Sequence, residues 1–127
     1  MTHRHTVRIR YVDCDMQGVV YNAHYLTFID DGFDLWLREI DPAFETALGW
    51  EVMVKRAEIT WATPARFNDH LDIDATATRW GTTSLDVSYR GTVSGTDVFD
   101  ATITYVTVGH DDYQPIPIPD ALRAHLG

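Results

Sequence analysis

The segment Asp13-Cys14-Asp15-Met16-Gln17-Gly18, followed by Val19-Val20-Tyr21-Asn22-Ala23-His24-Tyr25, carries the residue types most able to do chemistry. Two carboxylates sit in a polar, glycine-ended stretch, directly before an apolar pattern of helical period. The first turn of a helix holds backbone N–H groups without intrahelical acceptors, together with a partial positive charge. Such donors polarise a carbonyl and stabilise the oxyanion formed when it is attacked. A carboxylate beside them acts as nucleophile or as general base for water. Carboxylate plus donor is a minimal acyl-transfer site. The same aspartates also suit a structural role, because loops use Asp to cap turns and helices.

The flanking sequence supplies the elements that must position this segment. Val7, Ile9 and Tyr11 alternate with Arg8 and Arg10, which predicts a strand over about Thr6 to Val12. From about Asn22 to Glu39, Tyr21, Tyr25, Phe28, Gly32 and Trp36 fall on one stripe of a helix, broadened by Phe33 and Leu37. Gly32 costs about 1 kcal/mol of helix propensity relative to Ala, and close approach of another backbone would explain it. Asp41-Pro42 ends the helix, and Ala43 to Leu48 suits one short turn. Four strands follow. Met53, Lys55, Ala57, Ile59 and Trp61 share a face of the first, which stops before Pro64. Leu71 to Ala77, Leu85 to Tyr89 and Phe99 to Tyr105 alternate with polar residues, and Ser94-Gly95-Thr96 makes the last hairpin turn. Pro115 to Pro119 suits an extended tail, with Asp120 capping a short helix through His125. One amphipathic helix cannot bury itself, so the expected architecture is α+β: a single domain over residues 1–127, with an antiparallel sheet wrapped around one long central helix.

Charge narrows the partners. Ten basic against nineteen acidic residues give a net −9, and Lys55 is the only lysine. Such a surface repels phosphate backbones and anionic membranes, so no nucleic-acid or membrane partner is expected. The single cysteine, Cys14, excludes an internal disulfide, and its neighbouring carboxylates disfavour the thiolate. The six histidines show no metal-ligand spacing; His3 and His5 fall in a start expected to be mobile. No Gly-x-Ser-x-Gly elbow occurs, which removes a serine hydrolase. The start lacks an apolar targeting stretch and no run approaches a membrane span, so a cytoplasmic location is expected.

Tyr11, Asp13, Asp15, Gly18, Val19, Val20, Tyr21 and Tyr25 together resemble the N-terminal motif of the hotdog-fold acyl-CoA thioesterases of the 4-hydroxybenzoyl-CoA thioesterase type. Arg56-Ala57-Glu58-Ile59, Thr63 to Asp69, Gly81 with Ser84, and Pro115 to Leu122 extend the resemblance along essentially the whole chain. The resemblance implies hydrolysis of an acyl-CoA, or an acyl-carrier-protein thioester, without a metal or cofactor. Asp15 is then the catalytic carboxylate, the Asn22 N–H the oxyanion donor, and Gly18 the point where backbone approaches the acyl group. Asp13, His24 and Tyr25 support them, while Arg66, Arg79, Gly81, Thr82 and Ser84 contact CoA. A homodimer or homotetramer with sites at the subunit boundary is implied as well.

Three departures stand out. His24 replaces the usual Asn or Ser, which raises a hydratase or dehydratase reading, since hotdog dehydratases pair a His with an acid. Asp30 is followed by Phe33 where an Arg is common, which puts in doubt the polar contact that pair supports. The basic residues that some relatives carry before Ser84 are absent; a phosphate grip would rest on Arg79, Arg66, Arg90 or Lys55. Loose nucleotide binding, or a non-catalytic acyl-CoA-binding module, is the alternative.

Overall fold

The computed structural model describes residues 1–127. In chain order it contains β1 (Thr2–Arg8), a 3-10 turn (Tyr11–Asp13), α1 (His24–Arg38), α2 (Phe44–Ala47), β2 (Trp50–Trp61), β3 (His70–Trp80), β4 (Ser84–Val93), β5 (Thr96–Gly109) and α3 (Asp120–Leu126). The strands form one sheet in the order β1-β3-β4-β5-β2, antiparallel at every pairing. The sheet carries α1 on one face, as the expected architecture requires.

Helix α1 buries the stripe read from the sequence, including Tyr25, Phe28, Ile29, Phe33, Trp36 and Leu37. Opposite it lie Leu71, Ile73, Leu85, Val87, Phe99 and Ile103, the inward residues of three alternating strands. Phe33 stacks on Tyr105, ring centroids 4.1 Å apart and planes 10° from parallel, so the position where an Arg is common joins the core instead. The Tyr105 and Tyr89 hydroxyls share a 2.6 Å hydrogen bond. Burial pushes both phenols well above their ordinary range, so the pair stays neutral.

Several boundaries differ from the sequence expectations. Strand β1 starts at Thr2 rather than Thr6, and the chain leaves it at Arg8 for the 3-10 turn, because Asp13 folds back onto Arg10. His3 and His5 are therefore ordered strand residues. His3 stacks on Trp36 at 5.3 Å with Nε2 3.3 Å from Glu39, and His5 lies 3.5 Å from Asp31. Gly32 is explained by a side chain, not a backbone: a Cβ there would stand 3.0–3.1 Å from the His5 ring and its Cβ. In β2 the register shifts between Val54 and Arg56, leaving Lys55 unpaired. This bulge moves Met53 and Lys55 off the face expected for them; opposite the inward residues of β5 stand Val52, Val54, Ala57, Ile59 and Trp61. At the last helix Pro119 occupies the cap position, Asp120 is already helical, and no side chain caps it. The hairpin turn is as expected, with Ser94 and Gly95 at φ 49° and 79°, a two-residue type I′ geometry.

Gly32→Val is expected to cost about 1–3 kcal/mol, the usual range for overpacking. Urea denaturation of Gly32→Val alone and combined with His5→Ala checks the cause: the second substitution should return at least half of the loss, and no recovery would remove His5 as the reason for the glycine.

Candidate active site

The loop between the 3-10 turn and α1 is built around Asp13. Its carboxylate, 3 % exposed, accepts the Arg10 backbone N–H at 2.8 Å and the Arg10 guanidinium at 2.9 and 3.2 Å. Those bonds to Arg10 hold it below the usual carboxylate range. Its backbone carbonyl accepts Tyr21 N–H at 3.0 Å, which fixes the approach to the helix. Between these points the chain makes a miniature hairpin. Cys14 bridges Val20, Asp15 N–H donates to Val19 at 2.9 Å, and Gly18 N–H returns to the Asp15 carbonyl at 3.0 Å. Gly18 turns the hairpin at φ 77°, a conformation that side chains resist.

The segment after β2 staples this hairpin down. Val20 N–H donates to Ala65 at 2.9 Å, Val19 bridges Arg66, and Ala65 N–H donates to the buried Tyr25 hydroxyl at 3.1 Å. Tyr25 thus ties the first turn of α1 to the turn that holds the loop.

Asp15 contrasts with Asp13. It is exposed, and its carboxylate makes one hydrogen bond, accepting Gln17 N–H at 2.8 Å on one oxygen. Two clefts meet at its side chain. One of about 210 Å³ lies between the loop, the start of α1 and the end of β2, with Val19, Asn22, Tyr25, Trp61 and Pro64 among its walls. The other, about 590 Å³, is bounded by Tyr11, Cys14, Met16, Gly18 and Phe67. Tyr21 N–H is given to Asp13 and His24 N–H to Tyr21, yet Asn22 and Ala23 donate to no protein acceptor, and no side chain caps α1. A free carboxylate and a free helix-start N–H therefore line the same cleft. That pair can attack a carbonyl carbon, directly or through water, and hold the oxygen that becomes negative.

The structure brings Asp13, Asp15, Gly18, Asn22, Tyr25 and Arg66 together. His24 borders the group but packs edge-on to Tyr21, 5.5 Å between centroids, and against Phe28, and lines neither cleft. A His–carboxylate pair for dehydration is not formed with Asp15. Arg79, Gly81, Thr82 and Ser84 lie at the other end of the sheet. Trp61 pairs with Phe99 but Ser84 with Val106, seven residues further along β5, or about 23 Å. There Arg79 grips Asp86 at 2.8 and 3.1 Å and Ser84 at 3.0 Å, Gly81 N–H donates to Ser84, and the Thr82 carbonyl accepts Ile118 N–H. The sequence reading did not assign Tyr11, Trp61 or Phe67 to the cleft walls. Their signal was faint: aromatic residues at the ends of alternating runs, 82 %, 49 % and 52 % exposed.

A five-stranded antiparallel sheet around one long helix defines a hotdog-fold protein, here with a free carboxylate at the helix start. The family model of the thioesterase-like superfamily matches residues 9–126, and the chain belongs to that superfamily. It is 28% identical over 126 residues to the acyl-CoA thioester hydrolase YbgC of Escherichia coli, covering 97% of this chain and 94% of that protein. A thioesterase-superfamily structure from Jannaschia sp. superposes with a TM-score of 0.90 at 27% identity, covering 97% and 89% of the two chains. The 1,4-dihydroxy-2-naphthoyl-CoA thioesterase of Synechocystis shares the fold at TM-score 0.86 and 18% identity, covering 99% and 96%.

Asp13→Asn is expected to destabilise the chain by about 2 kcal/mol at neutral pH, as loss of charge-assisted bonds from a buried acceptor does. The sign with pH follows from the lowered Asp13 value. Its contribution is complete above the unfolded value, about pH 4, and disappears as pH falls through the folded one. Thermal melts between pH 7 and pH 3 should bring parent and variant closer at the acid end; a constant gap would exclude the Arg10–Asp13 charge as the cause.

Proposed function

We propose that this chain hydrolyses acyl-CoA thioesters to a free acid and CoA, with Asp15 as the catalytic carboxylate. The observation that carries the reading is the coexistence, in one cleft, of an Asp15 oxygen free of protein partners and the unused N–H of Asn22. The substrate named for the Escherichia coli relative supports the choice of thioester.

The thioester carbonyl oxygen lies toward Asn22 N–H, and its carbon faces Asp15. As nucleophile, Asp15 forms an acyl anhydride while the C–S bond breaks and the thiolate leaves to take up a proton. Water then cleaves the anhydride and restores the carboxylate. As general base, Asp15 takes a proton from water, which adds to the same carbon before the thiolate departs. Both routes place negative charge on the oxygen beside Asn22, where the start of α1 stabilises it. Asp13 keeps the loop in place, and Gly18 leaves the hairpin tip open, with no atom within 4 Å of where a Cβ would stand.

The cleft is unfinished on its β2 side. Strand β2 is an edge of the sheet, with Val54 and Trp61 half exposed beside α1. Antiparallel pairing of two β2 edges about a twofold axis satisfies this edge and closes the groove between α1 and β2 with a second copy. We therefore place the site at a dimer boundary.

Asp15→Asn should lower turnover on a panel of short, long and aromatic acyl-CoAs by about 10²–10⁴-fold, the scale of a lost acid–base group. Full turnover in the variant would remove Asp15 from the mechanism, and a parent that binds the panel without hydrolysis would make the chain a binding module. In light scattering the parent should give twice the 14.5 kDa chain mass, and Val54→Lys should shift it to monomer; a monomeric parent would discard the β2 pairing.

A further inference from the structure

Six of the ten cations are already bound to carboxylates: Arg4, Arg10, Arg38, Arg56, Arg79 and Arg90. Arg123 donates to the Gly81 carbonyl and lies over Trp80, and Lys55 sits at the β2 bulge. Lys55 is unpaired at the β2 edge, which leaves Arg8 and Arg66 as the free cations beside the larger cleft. Both are exposed and neither forms an ion pair; Arg8 lies over the Phe67 ring and Arg66 is its chain neighbour. The Arg8 guanidinium lies 5.9 Å from the Phe67 ring centroid and spends one N–H on the neutral Asn68 side chain. Arg66 precedes Phe67 in a turn closed by Asp69 N–H to the Arg66 carbonyl at 3.1 Å and Arg66 N–H to the Asp69 carboxylate at 2.8 Å. Phe67 meets Tyr11 edge to face at 6.4 Å, and both rings border the larger cleft at Asp15.

A second cleft between α1 and β2 is lined by carboxylates and by no free cation. This separate cleft, of about 210 Å³, is bordered by Asp30, Asp34, Glu45 and Glu51. Arg38 binds Asp34 and Glu45, Glu51 faces His110 at 2.9 Å, and Asp30 has no cationic partner. A phosphate-bearing group finds no free cation there, whereas the smaller cleft at Asp15 offers an apolar group Val19, Val20 and Trp61.

We propose that the face formed by Arg8, Tyr11, Arg66 and Phe67 is the nucleotide subsite for the CoA half of the substrate. This rests on the thioesterase reading above. The adenine ring packs on the exposed Phe67–Tyr11 pair, and the phosphates take the free N–H groups of Arg8 and Arg66. The pantetheine arm crosses the larger cleft past Gly18, and the acyl group turns into the smaller one. This assignment replaces the Arg79–Ser84 end of the sheet. Twofold pairing of β2 would bring the partner subunit's copy of that end toward Asp15, but Arg79 is already held by Asp86.

The test is calorimetric titration of 3′,5′-ADP and of CoA into the full-length chain, with kinetics on octanoyl-CoA and benzoyl-CoA and on their N-acetylcysteamine analogues. Arg8→Gln, Arg66→Gln and Phe67→Ala should each weaken 3′,5′-ADP about tenfold, and Arg8→Lys should recover part of that loss. KM for the CoA thioesters should rise in step while kcat stays within twofold, and kcat/KM on the cysteamine analogues should hold in the two arginine variants. No binding of 3′,5′-ADP to the parent, unchanged affinity in the Arg8→Gln/Arg66→Gln pair, equal losses on both thioester classes, or a selective loss in Arg79→Gln would each overturn the assignment. A parent inactive on every thioester would refute the hydrolytic reading instead, and the 3′,5′-ADP titration would still decide the subsite.

Discussion

The contact between Arg10 and Asp13 is the constraint on which the site depends. A carboxylate taken out of water must be saturated with donors. Asp13 meets that need with one backbone N–H and two guanidinium N–H groups, all from Arg10. The result is a turn that ends β1 at Arg8 and sends the chain across the start of α1. Because Asp13 absorbs the local positive charge, Asp15, two residues later, is left with a single backbone donor. One aspartate is consumed so that the other stays free. Tyr25 completes the arrangement from the helix side: its hydroxyl binds Ala65 N–H, and Ala65 in turn accepts Val20 N–H.

The sheet-and-helix frame explains why this loop is rigid enough to matter. Helix α1 is held at both flanks by contacts that set its distance from the sheet. On one side the His5 ring lies against Gly32; on the other Phe33 stacks on Tyr105. A larger residue at 32 or a charged one at 33 would lift the helix, and with it Asn22 and the donors at its start. The Tyr89–Tyr105 hydroxyl pair lets two polar atoms lie under the helix without an unpaired buried group.

Much of this was legible in the sequence. Alternation identified the strands, the four-three-four spacing identified α1, and the two aspartates before it marked the loop. What could not be read were features set by contacts across the fold. A bulge at Lys55 is invisible to a period-two count, because alternation says nothing about the partner strand. His3 and His5 looked like unanchored residues until Trp36, Glu39 and Asp31, some thirty residues away, gave them partners. The roles of Asp13 and Asp15 could not be separated from their order alone. Only the fold shows which carboxylate Arg10 takes. The distance between Arg66 and the Arg79–Ser84 group was likewise hidden, since it depends on which end of the sheet each connection reaches.

The net charge of −9 takes on a different meaning once the ion pairs are placed. Counted along the sequence, it argues against nucleic-acid and membrane partners. Counted in the fold, most arginines have spent their charge on neighbouring aspartates and glutamates, so the total describes surfaces that are locally neutral or acidic. What matters for an anion is where unspent positive charge lies relative to unspent negative charge. Arg8 and Arg66 lie by Phe67, which borders the larger cleft at Asp15, whereas Asp30, Asp34, Glu45 and Glu51 border a separate cleft between α1 and β2. A molecule with a polyanionic end, an apolar end and a reactive carbon between them is oriented by that gradient before any specific contact forms. On the proposed reading, the distribution of charge, and not its total, places the CoA phosphates by Phe67 and the acyl group toward Trp61.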